Sequence, residues 1–127
     1  MKTQHKGKHY EDIALAFLKK HKLKLISRNY TCRSGEIDLI MQDKDTLVFV
    51  EVRYRGNSNY GSPEETINRS KQLRITKAAQ HYLLSNNPTE INCRFDAIAI
   101  ENKPSASNQQ KINWIKNAFD AANYSQW

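Results

Sequence analysis

Asp38 and Glu51, with Arg53 two residues beyond the glutamate, are the side chains of this 127-residue chain whose types and spacing best suit chemistry. An aspartate and a glutamate brought together can hold a hard divalent cation such as Mg²⁺ or Mn²⁺ through oxygen. Such an ion binds a phosphate ester and lowers the pKa of an attacking water. A cationic side chain beside it steadies the nucleophile or the charge that builds on the phosphate. Metal-dependent phosphodiester cleavage requires this combination. So short a spacing also arises by chance, and a protein that only binds nucleic acid can carry the same cluster.

The elements that must bring these residues together are legible around them. Residues 35–53 form two alternating runs on either side of Asp43-Lys44-Asp45-Thr46, which is a hairpin signal. A two- or four-residue turn gives one register, in which paired residue numbers sum to 89. Ile37, Leu39 and Met41 then share an apolar face with Val48, Val50 and Val52. The other face carries Glu36, Asp38, Glu51 and Arg53, with Asp38 opposite Glu51 and Glu36 opposite Arg53. Two carboxylates roughly 5 Å apart repel by about 3 kcal/mol at an effective dielectric near 20. A favourable cross-strand pair contributes only about 0.2–1 kcal/mol. Something must offset the repulsion, and a divalent cation is the simplest candidate.

Other charges fall at positions where the local pattern expects burial. Residues 9–21 read as a helix, with Ile13, Ala14, Leu15, Phe17 and Leu18 on one arc, and at about 100° per residue Glu11 lies inside it. A dipole-stabilised surface carboxylate is the plain alternative for Glu11. A second helix spans residues 68–84, with Asn68 as its cap and Ile75, Ala78, Ala79, Tyr82 and Leu83 facing inward. Lys71 points into that same arc and so calls for an anionic partner. Leu73 and Leu84 fall on the opposite side, while Arg74, Lys77 and His81 line a flank that is either a phosphate-contacting stripe or a solvated face. Residues 54–63, rich in glycine and small polar residues, hold Tyr54, Arg55 and Tyr60, side chains that stack on bases or grip phosphates. They serve equally as a plain connector, and Pro63-Glu64-Glu65 suits a short helical turn.

The remaining pattern predicts a strand over 23–28, a connector over 29–34 turning at Ser34-Gly35, a strand over 94–101, a polar loop over 102–110 and a last helix over 111–122. Ile112, Ile115, Phe119 and Ala122 mark that helix's inner stripe, and the last four residues pack or fray. The expected whole is one α/β domain over residues 1–127, a mixed four-stranded sheet flanked by helices. No internal repeat or interdomain linker interrupts it. A formal net charge of +7 and a pI near 9.5 fit a polyanionic partner, and equally a surface with surplus lysine. No apolar run reaches membrane-spanning length, and the basic N-terminus lacks the apolar core of a secretory signal. Cys32 and Cys93 give neither a disulfide framework nor zinc spacing and read as buried thiols. The expectation is a cytoplasmic protein without membrane contact.

Asn29-Tyr30, Arg33-Ser34-Gly35-Glu36-Ile37-Asp38-Leu39-Ile40 and Val48-Phe49-Val50-Glu51-Val52-Arg53 strongly resemble the YraN-like uncharacterised bacterial protein family. The likeness extends to Glu11-Asp12-Ile13-Ala14, Tyr60-Gly61-Ser62-Pro63-Glu64-Glu65, Lys71-Gln72, Ala78-Ala79, Tyr82-Leu83, Arg94-Phe95-Asp96 and Ile115-Lys116-Asn117-Ala118-Phe119. That family in turn resembles the restriction-endonuclease-like PD-(D/E)XK nucleases, Holliday-junction resolvases among them. The resemblance implies Asp38 and Glu51 as metal ligands, Arg53 at the motif's basic position, and Glu11 as the N-terminal helix carboxylate. Glu36 is a further candidate ligand, and Arg55, Arg74, Lys77 and Tyr60 are candidate contacts to nucleic acid, expected to be DNA, branched or damaged. Cleavage of two symmetric strands would favour a homodimer.

The chain departs from the pattern twice. Arg53 stands where lysine is usual, a bulkier and permanently charged fork that orients a compact water nucleophile less well. Lys71 is the candidate to supply the ammonium from the next helix. Tyr10 stands where glycine usually precedes the helix glutamate, and its ring alters the start of the helix or offers a surface for a base.

Overall fold

The computed structural model describes residues 2–55, 67–86, 92–102 and 110–120. Its elements are α1 (Lys2–Lys20), β1 (Lys24–Cys32), β2 (Gly35–Asp43), β3 (Thr46–Arg55), α2 (Arg69–Asn86), β4 (Asn92–Asn102) and β5 (Gln110–Phe119). The strands form one mixed five-stranded sheet in the order β1-β2-β3-β4-β5. Only β3 and β4 run parallel, joined across α2 as a parallel pair requires. The α/β class and the mixed central sheet follow the sequence pattern, with one strand more than expected.

Each helix covers one face of the sheet. Ala14 and Leu18 of α1 pack with Leu39, Met41, Val48, Val50, Ile98 and Ile100. Ile75, Ala78 and Ala79 of α2 pack with Ile40, Leu47, Phe49 and Phe95. Burying a side chain such as Leu18 or Phe49 stabilises the fold by about 1.5–3 kcal/mol, so alternating strand residues fix both layers at once.

The β2–β3 ladder has the predicted register, from Asp43↔Thr46 through Leu39↔Val50, around a two-residue turn in which Lys44 has φ 58°. It stops there. Asp38 does not enter the ladder opposite Glu51; its Oδ2 instead accepts the Val52 N–H at 2.8 Å. Beyond this point β2 follows β1, and Ile37 joins the α2-side cluster instead of the face of Leu39 and Met41.

Asn68 caps α2 as expected, its Oδ1 accepting the Lys71 N–H at 2.8 Å. Residues 29–32, expected as connector, continue β1, so the turn to β2 is only Arg33-Ser34. Pairing with β2 outweighs the local preferences of a segment in which Asn29 takes φ 53°.

The last element corrects the sequence reading: residues 110–119 form β5, antiparallel to β4, and not a helix. A bulge misleads the pattern here. Phe95 pairs with Phe119 but Ala97 with Ile115, so β5 spends three residues where β4 spends one. Asn117 takes φ 53° within that bulge and donates its N–H to Asp96. The inserted residues give Ile115 and Phe119 a helix-like spacing of four on an extended chain.

Candidate active site

Where β2 parts from β3, two side chains that elsewhere would continue the ladder are left facing each other. Glu51 is 5% exposed, and Asp38, half-buried, is its neighbour. Burial first, and then the neighbouring Glu51 charge, push the Asp38 carboxyl up to about 8, although the Val52 N–H works the other way. Burial and the second carboxylate thus favour a proton on the metal-free pair. Glu51 holds the Lys71 ammonium, with Nζ 2.8 Å from Oε2. The like-charge pair is thus offset by a proton and an ammonium, so the repulsion alone does not demand a cation.

Arg53 does not pair with Glu36. Its Nη1 lies 3.9 Å from Glu51 Oε2, within ion-pair range but beyond hydrogen-bond reach, and is buried without a hydrogen-bond partner among the described residues. The ladder ends before residue 38, so Glu36 is not held across from Arg53; it is exposed, at the edge of the cleft. A buried guanidinium nitrogen without an acceptor among the described residues is a costly arrangement that an anionic ligand would relieve.

Glu11 is one of the inward residues that the helix pattern located, its side chain 13% exposed. Its partner is Arg28 on β1, Nη2 to Oε1 3.4 Å, and the same guanidinium reaches Asp12 at 2.9 Å. Those two carboxylates hold the Arg28 pKa above its ordinary value against the opposing effect of burial. Arg28 escaped the sequence reading because only the β1–β2 register, Arg28↔Leu39, brings it next to Asp38. Glu11, Arg28, Glu36 and Asp38 line a cleft of about 700 Å³ with Lys8 and Asn29. A smaller cavity of about 50 Å³ continues on the α2 side between Asp38, Glu51, Lys71 and Arg74.

Asp38, Glu51, Arg53, Lys71, Glu36 and Glu11 thus gather at one end of the sheet. Arg74 lines the smaller cavity, and Lys77 is exposed further along α2. Tyr60 and the Arg55 side chain lie outside the described residues, as do the predicted turn at 63–65 and the last four residues. Tyr10 stacks on Tyr54 with ring centroids 3.9 Å apart, so that face is not open to a base. Burial and a hydrogen bond to Tyr54 push the Tyr10 hydroxyl up to about 12. Cys32 and Cys93 are free and half-buried, less enclosed than expected.

Among the described residues, no three His, Cys, Asp or Glu side chains converge closely enough to form a ready metal cage. The donor chemistry nevertheless suits a hard cation. Two carboxylates with water completing the coordination is the usual holding of Mg²⁺, which seldom takes an all-protein cage. No helix among the described residues is long and apolar enough to cross a membrane.

The family model described as "Uncharacterised protein family UPF0102" matches residues 10–100. A UPF0102 protein of Nitrosospira multiformis is 53% identical over 120 residues, covering 94% of this chain and 96% of that protein. One from Psychromonas ingrahamii is 53% identical over 116 residues, covering 90% and 88%. One from Vibrio cholerae is 44% identical over 119 residues, covering 92% and 93%. These names state no activity.

Proposed function

The chain belongs to the UPF0102 family, and we propose that it is a Mg²⁺- or Mn²⁺-dependent nuclease that hydrolyses phosphodiester bonds in DNA. One observation carries this reading: a buried Asp38–Glu51 pair at the end of a cleft, flanked by two cationic side chains. The open cleft beside the pair, and an Arg53 Nη1 without a hydrogen-bond partner among the described residues, are features that a purely structural acid pair does not need.

Asp38 and Glu51 would hold the metal. When bound, the ion supplies Lewis acidity toward the phosphate and a water of lowered pKa. Asp38 must give up its proton for this, so occupancy rises with pH. The Val52 N–H holds Oδ2 of Asp38 in place at 2.8 Å and so orients the carboxylate. Arg53 offers its Nη1 to a phosphate oxygen, where a permanent charge suits an anion. Lys71, already 2.8 Å from Glu51, brings an ammonium to the same cleft from α2 and stands in for the lysine that Arg53 replaces. Glu11 is tied to Arg28 and acts on the pair at longer range, raising the Asp38 pKa slightly.

The test is a screen of junction, flap and duplex DNA with Mn²⁺. Wild type should nick at least one substrate, and Asp38→Ala should nick none. A second reading, nucleic-acid binding without turnover, is favoured by the ammonium already seated on Glu51 and by the lack of a ready three-ligand cluster among the described residues. Salt-sensitive binding that needs no metal, with no cleavage of any substrate, would select it.

A further inference from the structure

Beside the carboxylate pair, a further cavity of about 280 Å³ lies between the β1–β2 turn and α2, sharing Glu36 and Arg74 with the smaller cavity at the pair. Thr31, Arg33, Ser34, Glu36 and Arg74 line it. At about 30 Å³ per liquid water this volume holds several waters, and hence a phosphodiester group.

Two features set this cavity apart from an ordinary basic surface. The first is how closely its walls are joined. A Cβ on Gly35 would lie 2.2 Å from the Arg74 carbonyl oxygen, so the turn sits directly on the α2 backbone. Only glycine permits that approach. Arg33, two residues before it, and Arg74 are thereby held at the two sides of one cavity.

The second is the pairing of its arginines. Arg28, Arg53 and Arg94 each approach a carboxylate, at 2.9, 3.9 and 3.0 Å. Arg33 and Arg74 are exposed and form no ion pair with any described residue. Two unpaired guanidinium forks with the hydroxyls of Thr31 and Ser34 suit a phosphate, which accepts several charge-assisted bonds at once. Glu36 borders this cavity as well as both parts of the cleft. Its carboxylate would repel a phosphate from the boundary, which leaves one anion position on the arginine side and one at the Asp38–Glu51 pair.

Resting on the nuclease reading above, we propose that Arg33 and Arg74 form a subsite for a phosphodiester flanking the scissile one. A polynucleotide strand would pass over Glu36, with one phosphate in the cleft and another between the two arginines. The subsite thus selects a chain of phosphodiesters over an isolated phosphate ester.

The experiment is metal-free binding of a fluorescent DNA oligonucleotide, followed by anisotropy across a salt series. The proteins are wild type, Arg33→Ala, Arg74→Ala, Arg33→Lys and Lys24→Ala, the last at the far end of β1 as a charge control. Each arginine-to-alanine change should weaken binding by about tenfold and lower the salt slope by about one. Arg33→Lys should restore the slope but not the full affinity, and Lys24→Ala should leave both near wild type. Thermal melts identify any variant that is merely misfolded, and Arg33→Lys then carries the test in its place. If wild type binds with strong salt dependence and the arginine variants bind equally well, the subsite is overturned while the nuclease reading stands. Equal losses in Lys24→Ala also overturn it, since net charge alone then explains them. If wild type binds no oligonucleotide, the subsite is overturned, while the nuclease reading is decided by the Mn²⁺ cleavage screen.

Discussion

Two aspartates on this sheet are both withdrawn from water, and they are held in opposite ways. Asp96 on β4 is 1% exposed and fully satisfied. Arg94 Nε donates to both of its oxygens at 3.1 Å, while Trp114 Nε1 and the Asn117 N–H each donate at 3.0 Å. Asp38 receives one N–H, from Val52, and its other neighbour is a second acid. A carboxylate that serves the fold is supplied with its counter-charge and its donors. Asp38 is left with a proton to lose, and the Arg53 nitrogen near Glu51 has no hydrogen-bond acceptor among the described residues. That difference is what separates a structural acid from a candidate ligand.

The largest effect belongs to the satisfied acid. Asp96→Ala should cost about 3–5 kcal/mol, because it takes the acceptor from Arg94 Nε, Trp114 Nε1 and the Asn117 N–H, leaves Arg94 only its Asp43 partner and unpins the β5 bulge. A urea midpoint measurement would show this, and a loss under 1 kcal/mol would erase the contrast between the two sites.

Asp38 should respond with the opposite sign. The folded protein keeps the Asp38 proton up to pH about 8, whereas the unfolded chain releases it near pH 4. Between those limits the folded form binds more protons, so this group makes metal-free stability fall as pH rises from about 4 to about 8. Asp38→Asn mimics the protonated acid and should raise Tm by about 5 °C or more at pH 8, with no gain at pH 4. A lower Tm at both pH values would mean that the charged form is the one the fold prefers.

Lys71→Ala sharpens the same contrast on the cationic side. Cleavage should fall by at least about tenfold, about 1.4 kcal/mol in the barrier. Stability should fall by about 1–3 kcal/mol, since the lysine side chain is 44% exposed but the Glu51 side chain that loses its partner is only 6% exposed. Single-turnover rates beside a melt separate the two, and unchanged cleavage removes Lys71 from the mechanism. Arg28→Gln should have the smallest effect, about 0.5–1 kcal/mol and shrinking with added salt, because that bridge lies partly in solvent.

Much of this was legible before the fold was known. Hydrophobic alternation determined the β2–β3 register to the residue, Asn68 announced its cap, and Lys71 and Glu11 stood out as charges on apolar arcs. These are local signals, set by periods of two and 3.6. What escaped depends on contacts between segments distant in sequence. The end of the ladder at Leu39 reflects β2 parting from β3 while staying paired with β1, so Glu36 is not held across from Arg53. The β5 bulge is written partly in Asp96, which receives the Asn117 N–H from another strand. Gly35 reads as an ordinary turn glycine until α2 lies against it. The like-charge pair was located from sequence, but its proton and its ammonium were not, because both depend on burial and on α2.

Calorimetric titration of Mn²⁺ into wild type and Asp38→Asn across pH 6 to 9 tests the proposed metal centre at Asp38 and Glu51. Wild type should show one site whose affinity climbs with pH as the Asp38 proton leaves, and the variant should bind at least about a hundredfold more weakly. Wild type that takes no metal, or a variant that binds as tightly as wild type, would contradict the proposed centre.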